Sequence, residues 1–234
     1  MNFWVNNIEA CGADAQCREA KRIDTSAAFF LSIEFQQTGY LVYRTYRAAY
    51  GDLPNAPVPI KLNEFEPDTQ AIGNGVVVNQ TGWQQQLENN KQAYLTEFVQ
   101  RPRFAAAYPT TMSPSEFVDK LFANAGVIPA DSDRAAAINE FGAVMTSDDT
   151  AARARALRRV AESAALAQKE FDPAFVLMQY FGYLRRDPDS GADRDFSGYN
   201  FWLTKLDTFN GNYQNAELVK AFLVSSEYRG RFPK

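Results

Sequence analysis

The chain contains no histidine, so acid–base chemistry in it falls to carboxylates. Triads of the Ser-His-Asp or Cys-His kind are excluded, as are the usual zinc sites. Glycoside hydrolysis is the natural reaction for carboxylates alone. It needs two carboxyls about 5–10 Å apart, one of them with a raised pKa. Glu34, Glu170 and Glu227 each precede an aromatic residue, which would desolvate such a carboxyl and raise its pKa. Their recurrence in one motif argues the other way: a catalytic pair need not be copied in every module, whereas a packing or capping role would be. A carboxylate-dependent hydrolase acting on polysaccharide is therefore the alternative, and a non-catalytic role leads. The sequence holds neither a phosphate-binding glycine loop nor a Gly-x-Ser-x-Gly elbow.

Cys11 and Cys17 are the two cysteines. A zinc or Fe–S site would need more thiolates or imidazoles, and the spacing is wider than a Cys-x-x-Cys redox motif. The pair reads as a local disulfide closing a loop between two helices, worth about 2 kcal/mol on a chain-entropy argument, with two free thiols as the other reading. A disulfide implies an oxidising compartment, hence an extracellular or cell-surface location. The chain also starts abruptly in a helix-like segment, Asn2-Phe3-Trp4-Val5, as a C-terminal piece of a longer exported protein would.

The segment Asp193-Arg194-Asp195-Phe196-Ser197-Gly198 has the opening of an EF-hand-like calcium loop. Asp193, Asp195 and Ser197 would be oxygen ligands, and Gly198 would make the sharp turn. Calcium takes roughly six to eight oxygens, and such loops finish on a bidentate Glu, where this chain has Thr204. Asp187 and Asp189 would complete an irregular site. The competing reading is a turn that caps the helix of Trp202.

These groups must be positioned by a chain of 234 residues, long enough to bury a sizeable core. With 46% hydrophobic and 22% charged residues it is ordinary for a globular protein. A net charge of -4 argues against a nucleic-acid binder. No apolar run reaches the roughly 18 residues of a membrane span, and no signal-peptide pattern opens the chain.

Internal similarity is the strongest organising signal. Phe29-Phe30-Leu31-Ser32-Ile33-Glu34-Phe35 is echoed by Phe222-Leu223-Val224-Ser225-Ser226-Glu227-Tyr228, by Phe98-Val99-Gln100-Arg101-Pro102-Arg103-Phe104, and more weakly by Gln168-Lys169-Glu170-Phe171. Trp4, Trp83 and Trp202 each precede one of the three clearer copies. The expected architecture is all-α: degenerate helical repeat modules packed into one globular array with a continuous core. The expected boundaries are a partial first module over 1–50, a Pro/Gly-rich insertion loop over 51–82, middle modules over 83–175 and a C-terminal module over 176–234.

Local signals support helices. Ser113-Pro114-Ser115-Glu116 is a capping box with Pro at the first helical position. Asp148-Asp149 favours the start of a helix running from about Thr150 to Lys169, with Arg155, Arg158, Arg159 and Glu162 on one face. That face reads as solvated, with an anion site as the lesser reading. Only Gly75-Val76-Val77-Val78 looks strand-like. The repeating Trp and Phe/Tyr positions read as core, with stacking on sugar rings as the lesser reading. Aromatics outside those positions, Tyr43, Tyr46, Tyr199 and Tyr213, are the expected exposed ligand-binding surface.

The run Gln179-Tyr180-Phe181-Gly182-Tyr183-Leu184-Arg185-Arg186-Asp187-Pro188-Asp189, continued by Gly198-Tyr199-Asn200-Phe201-Trp202 and by Ala221-Phe222-Leu223 with Ser225-Ser226-Glu227-Tyr228, resembles the bacterial domain-of-unknown-function 4214 family. The last third matches best, the first 50 residues match as a partial copy, and the proline-rich stretch is the largest departure. The family is similar in helical pattern to phycobilisome linker domains, and its members are typically found in large exported or surface proteins. The resemblance implies a non-catalytic binding, anchoring or assembly module with a surface glycan or a protein as partner. It supplies no catalytic residues and no cofactor beyond the calcium considered above. Self-association through residues 1–40 is a further expectation, because that half-module lacks its own partner helix.

Overall fold

The computed structural model describes residues 2–191 and 194–232. Every regular element among them is helical, so the protein is all-α. In chain order come α1 (Asn2–Glu9), α2 (Ala15–Leu31), α3 (Ile33–Gln37), α4 (Gly39–Tyr50) and α5 (Leu62–Gly73). Next are α6 (Trp83–Phe98), α7 (Pro102–Ala107), α8 (Pro114–Ala125), α9 (Asp131–Asn139), α10 (Thr150–Ala161) and α11 (Ala164–Lys169). The last third carries α12 (Phe171–Gln179), a π-helical segment (Tyr180–Leu184), α13 (Ser197–Thr208), α14 (Leu218–Val224) and α15 (Ser226–Gly230). No described helix is long and apolar enough to cross a membrane.

The chain divides into two compact units that cut across the module boundaries expected from the repeat. A central unit spans Gln37–Phe171, and a terminal unit joins Met1–Gln36 to Asp172–Lys234.

In the central unit α4 is the hub, with α5, α8 and α10 packed against it. It is buried over most of its surface, from Tyr40 through Val42, Tyr43 and Tyr46 to Ala49, as a helix with little solvent face must be. The alanines of α10 let it approach α4 and α6 closely. The capping box at Ser113 forms as read: its hydroxyl accepts the Glu116 amide at 3.3 Å, and the Glu116 carboxylate accepts the Ser113 amide at 2.8 Å. Phe117, Leu121 and Phe122 are buried behind it.

Three local expectations need correction. The helix from Thr150 does not run to Lys169. It ends at Ala161, and Ser163 in extended backbone opens α11, its hydroxyl donating to the Val160 carbonyl at 2.8 Å. The stretch 51–82 is not all loop, because α5 occupies its middle. Phe65, Asp68 and Ile72 point inward there at helical spacing, and that burial outweighs the hydrogen bond lost at Pro67. The segment 75–78 is turn and coil, not strand.

The arginine face of α10 is taken by ion pairs. Arg155 and Arg159 both reach Glu140, and Arg158 forks onto Glu88 and Glu162. Hydrogen bonding from Arg158 holds the Glu88 carboxyl below its ordinary range, against a smaller opposing effect of burial. A carboxyl depressed in the folded state contributes stability that is complete above its unfolded pKa (about 4.3) and is lost as the pH falls through the folded value. Glu88→Gln is therefore expected to lower stability at neutral pH and to converge on the wild type at acid pH, which flattens the acid side of the stability curve. Urea midpoints taken from neutral pH down through the carboxylate range check this, and parallel curves for both proteins would refute it.

The terminal unit is built on a second hub. Cys11 and Cys17 form the expected disulfide, tying the turn after α1 to the first turn of α2. Helix α2 packs on α14, so the N-terminal segment finds a partner helix within its own chain. The π-helical segment brings Tyr180 edge-on to Phe222 (5.0 Å) and Tyr183 edge-on to Tyr228 (5.4 Å), and the hydroxyls of Tyr183 and Ser26 are hydrogen-bonded.

Gly182 lies under the Phe30 ring, where an added Cβ would sit 2.5 Å from its Cζ. Phe30 is itself wedged against Phe35 and Tyr183, so it has little room to yield. Gly182→Ala is expected to cost about 1–3 kcal/mol by overpacking, read as a lowered thermal midpoint.

Three copies of the aromatic motif share one backbone event. At the fourth residue the helix breaks into extended geometry: Ser32 (φ -64°, ψ 149°), Arg101 (-59°, 141°) and Ser225 (-58°, 145°). Ser32 and Ser225 make the same two hydrogen bonds, donating to the carbonyl three residues back and accepting the amide three residues on. The motif is thus a helix–break–helix joint. In the fourth, weakest copy Gln168 continues α11 without a break.

Candidate functional site

Three of the four tyrosines expected at the surface are buried, and the fourth is partly exposed. Tyr43, Tyr46 and Tyr199 are at most 2% exposed, and Tyr213 is half-buried against Phe175. Each buried hydroxyl has an internal acceptor. Tyr43 donates to Glu170 at 2.9 Å, Tyr46 to Asp68 at 3.0 Å and Tyr199 to the Pro173 carbonyl at 3.1 Å. Burial, and then the neighbouring Asp68, push the Tyr46 hydroxyl far above its ordinary pKa. Tyr43 and Tyr46 are internal because the hub helix α4 is buried over most of its surface, so falling outside the repeat positions did not mean exposure.

The carboxylates that precede aromatics serve structure. Glu170 is buried and ion-paired with Arg47 at 3.1 Å, and Glu227 is gripped by Arg186 at 2.6 and 3.1 Å. Glu34 is exposed in the first turn of α3. Asp172 is the one described carboxyl with a resolved upward pKa shift, caused by burial and then by nearby Asp207. It is half-buried beside the Gly211 turn, where an added Cβ would lie 3.3 Å from its Oδ2. Sequence reasoning passed over Asp172 because its neighbours come from a turn about forty residues away.

Of the calcium set, Asp193 lies outside the described residues. Asp195 Oδ1 accepts the Ser197 amide at 2.8 Å and its hydroxyl at 2.5 Å, bonds that hold its carboxyl below the ordinary range. It thereby forms the turn that opens α13. The turn containing Asp187 and Asp189 is wrapped around a cation that the chain supplies itself. Arg186 Nη1 donates to the carbonyls of Asp187, Pro188 and Ser190 at 3.1, 3.3 and 2.6 Å. Among the described residues no three carboxylates or thiols converge to hold a metal ion.

The terminal unit also carries a feature that the sequence reading did not foresee, a groove of about 700 Å³ between α1 and α2 on one side and α14 and α15 on the other. Its walls are the two serine joints: Phe29 comes from the first, and Leu223, Val224 and Tyr228 from the second. Ile8 and Ile23 complete the apolar lining, while Arg22, Arg229 and the ion pair of Lys220 with Glu19 stand among the polar residues. Phe29 is 61% and Val224 42% exposed, so apolar surface here is left to water. Contiguous exposed apolar surface around a hollow of this size marks a binding site. The repeat of the Phe-Leu-x-Ser motif was the available signal, since both copies end on this groove.

No protein-family model matches the chain, and neither curated proteins nor solved structures give a match.

Proposed function

We propose that this chain is a non-catalytic binding and anchoring module of an exported bacterial protein, and that the groove between α2 and α14/α15 receives its partner. The observation that carries the reading is the apolar surface left exposed around a ligand-sized hollow, while Glu170 and Glu227 are consumed by ion pairs. The resemblance of residues 179–228 to the domain-of-unknown-function 4214 family supports the placement in an exported protein. A disulfide, which persists in oxidising compartments, supports it as well. A glycan partner would stack on Phe29 or Tyr228, because Tyr43, Tyr46 and Tyr199 are internal.

Titration with bacterial and plant polysaccharides and with amphiphiles, followed by amide chemical shifts and by assay of reducing ends, tests the reading. The expected result is saturable perturbation of groove amides with no product. Released reducing ends that vanish in Asp172→Asn would replace the binding module with the carboxylate-dependent hydrolase. The same titration run with calcium against EDTA tests the loop of Asp187, Asp189, Asp193, Asp195 and Ser197, where calcium binding would raise the thermal midpoint.

A further inference from the structure

We infer that the groove takes the acyl chain of a long-chain fatty acid, with Arg22 and Arg229 receiving its carboxylate. The inference rests on the binding role proposed above and names the ligand class for it. A volume of about 700 Å³ lies within the range of small-molecule pockets, which are mostly apolar with a few polar groups that fix orientation. Both walls contribute aliphatic side chains, Ile8 and Ile23 from one and Leu223 and Val224 from the other, with Phe29 and Tyr228 as the aromatic part of the lining. Methylenes match such walls, whereas a sugar would bring hydroxyls that they cannot satisfy. Of the hydroxyls in the lining, Ser26 is already bonded to Tyr183.

Charge selects the head group. The lining holds three cations against one anion. Lys220 is paired with Glu19 at 3.5 Å, which leaves Arg22 and Arg229 with no ion-pair partner among the described residues. Two uncommitted guanidiniums beside an apolar hollow are notable in a chain of net charge -4. Guanidinium binds carboxylate through paired, charge-assisted hydrogen bonds.

Isothermal titration of the full chain with decanoate and dodecanoate below their micellar concentrations, and with dodecanol below its solubility limit, tests the proposal. Dodecanoate is expected to bind at one saturable site, roughly fifteenfold more tightly than decanoate, from the burial of two more methylenes. It should also bind at least about tenfold more tightly than dodecanol, as a charge-assisted pair requires. Both arginines are exposed, so the double variant Arg22→Gln/Arg229→Gln should keep its circular dichroism spectrum. In that variant dodecanoate is expected to fall to the affinity of dodecanol, with dodecanol unchanged. Absence of saturable dodecanoate binding, or equal affinity for acid and alcohol in the wild type, overturns the inference. Polysaccharide that perturbs the groove amides without dodecanoate binding would sink this ligand class and leave the binding role standing. Hydrolysis of the polysaccharide would sink the binding role itself.

Discussion

Glu170→Ala is expected to destabilise the protein by about 3–5 kcal/mol, the usual cost of removing one partner from a buried ion pair. The Glu170 side chain is 4% exposed and the Arg47 side chain 14%, so solvent does little to screen the charge left behind. The substitution strands two groups. Tyr43 loses the carboxylate to which its buried hydroxyl donates, and Arg47 is left with Asp52. Because Asp52 persists, the lower end of the range is the better expectation. Glu170→Gln keeps an acceptor for Tyr43 and is expected to lose less. Urea unfolding at neutral pH measures both. A loss below about 1 kcal/mol for the alanine variant would mean that the network is dispensable, as surface pairs commonly are.

Phe104→Ala is the second large effect, again about 3–5 kcal/mol, from lost transfer free energy and the cavity left behind. Phe104 is fully buried, stacked on Tyr108 at 4.4 Å and edge-on to Phe98 and Phe117. Its ring is also one of two that face the guanidinium of Arg153, the other being Phe117. Arg153 is 4% exposed and bonded to the backbone carbonyls of Ser147 and Tyr108. Desolvation lowers its pKa, so losing one aromatic face removes part of what holds a buried cation. Phe104→Leu keeps most of the volume but not the ring face. If the leucine variant loses as much as the alanine one, the cation contact carries the cost. If it loses about 1.5 kcal/mol or less, packing does.

The parts of the fold legible in the sequence were those fixed by neighbours along the chain. The capping box at Ser113, the disulfide across one loop and the buried Phe117–Phe122 stripe need only a few consecutive residues to be read. The helix break at Ser163 was missed because a run of alanine and arginine propagates a helix on propensity alone, whereas one serine turning to the Val160 carbonyl ends it. Helix α5 was missed because Pro67 and the surrounding prolines outweighed three inward positions whose partners lie in α4 and α6. The tyrosines were misplaced for a different reason: periodicity says which residues share a face and says nothing of how many faces of α4 are covered. The groove was invisible as a groove, since its two walls are about two hundred residues apart in the chain. Only the motif they share was readable.

The π-helical segment at 180–184 fixes how this chain can vary in length. A π turn accommodates one residue more than the α turn it replaces, and each helical residue advances the chain by about 100° around the axis. Deleting one residue there would relax the segment to ordinary helix without shortening any packed element. The elements on either side would keep their phase, because the α turn covers about the same angle as the longer π turn it replaces. An insertion or deletion within α12 itself has no such compensation and would turn everything beyond it by about 100°, taking Tyr183 off Tyr228 and Ser26, and Arg186 out of the ring of carbonyls it fills. The π segment is thus the place where this chain can lose a residue and keep the phase of its C-terminal segment.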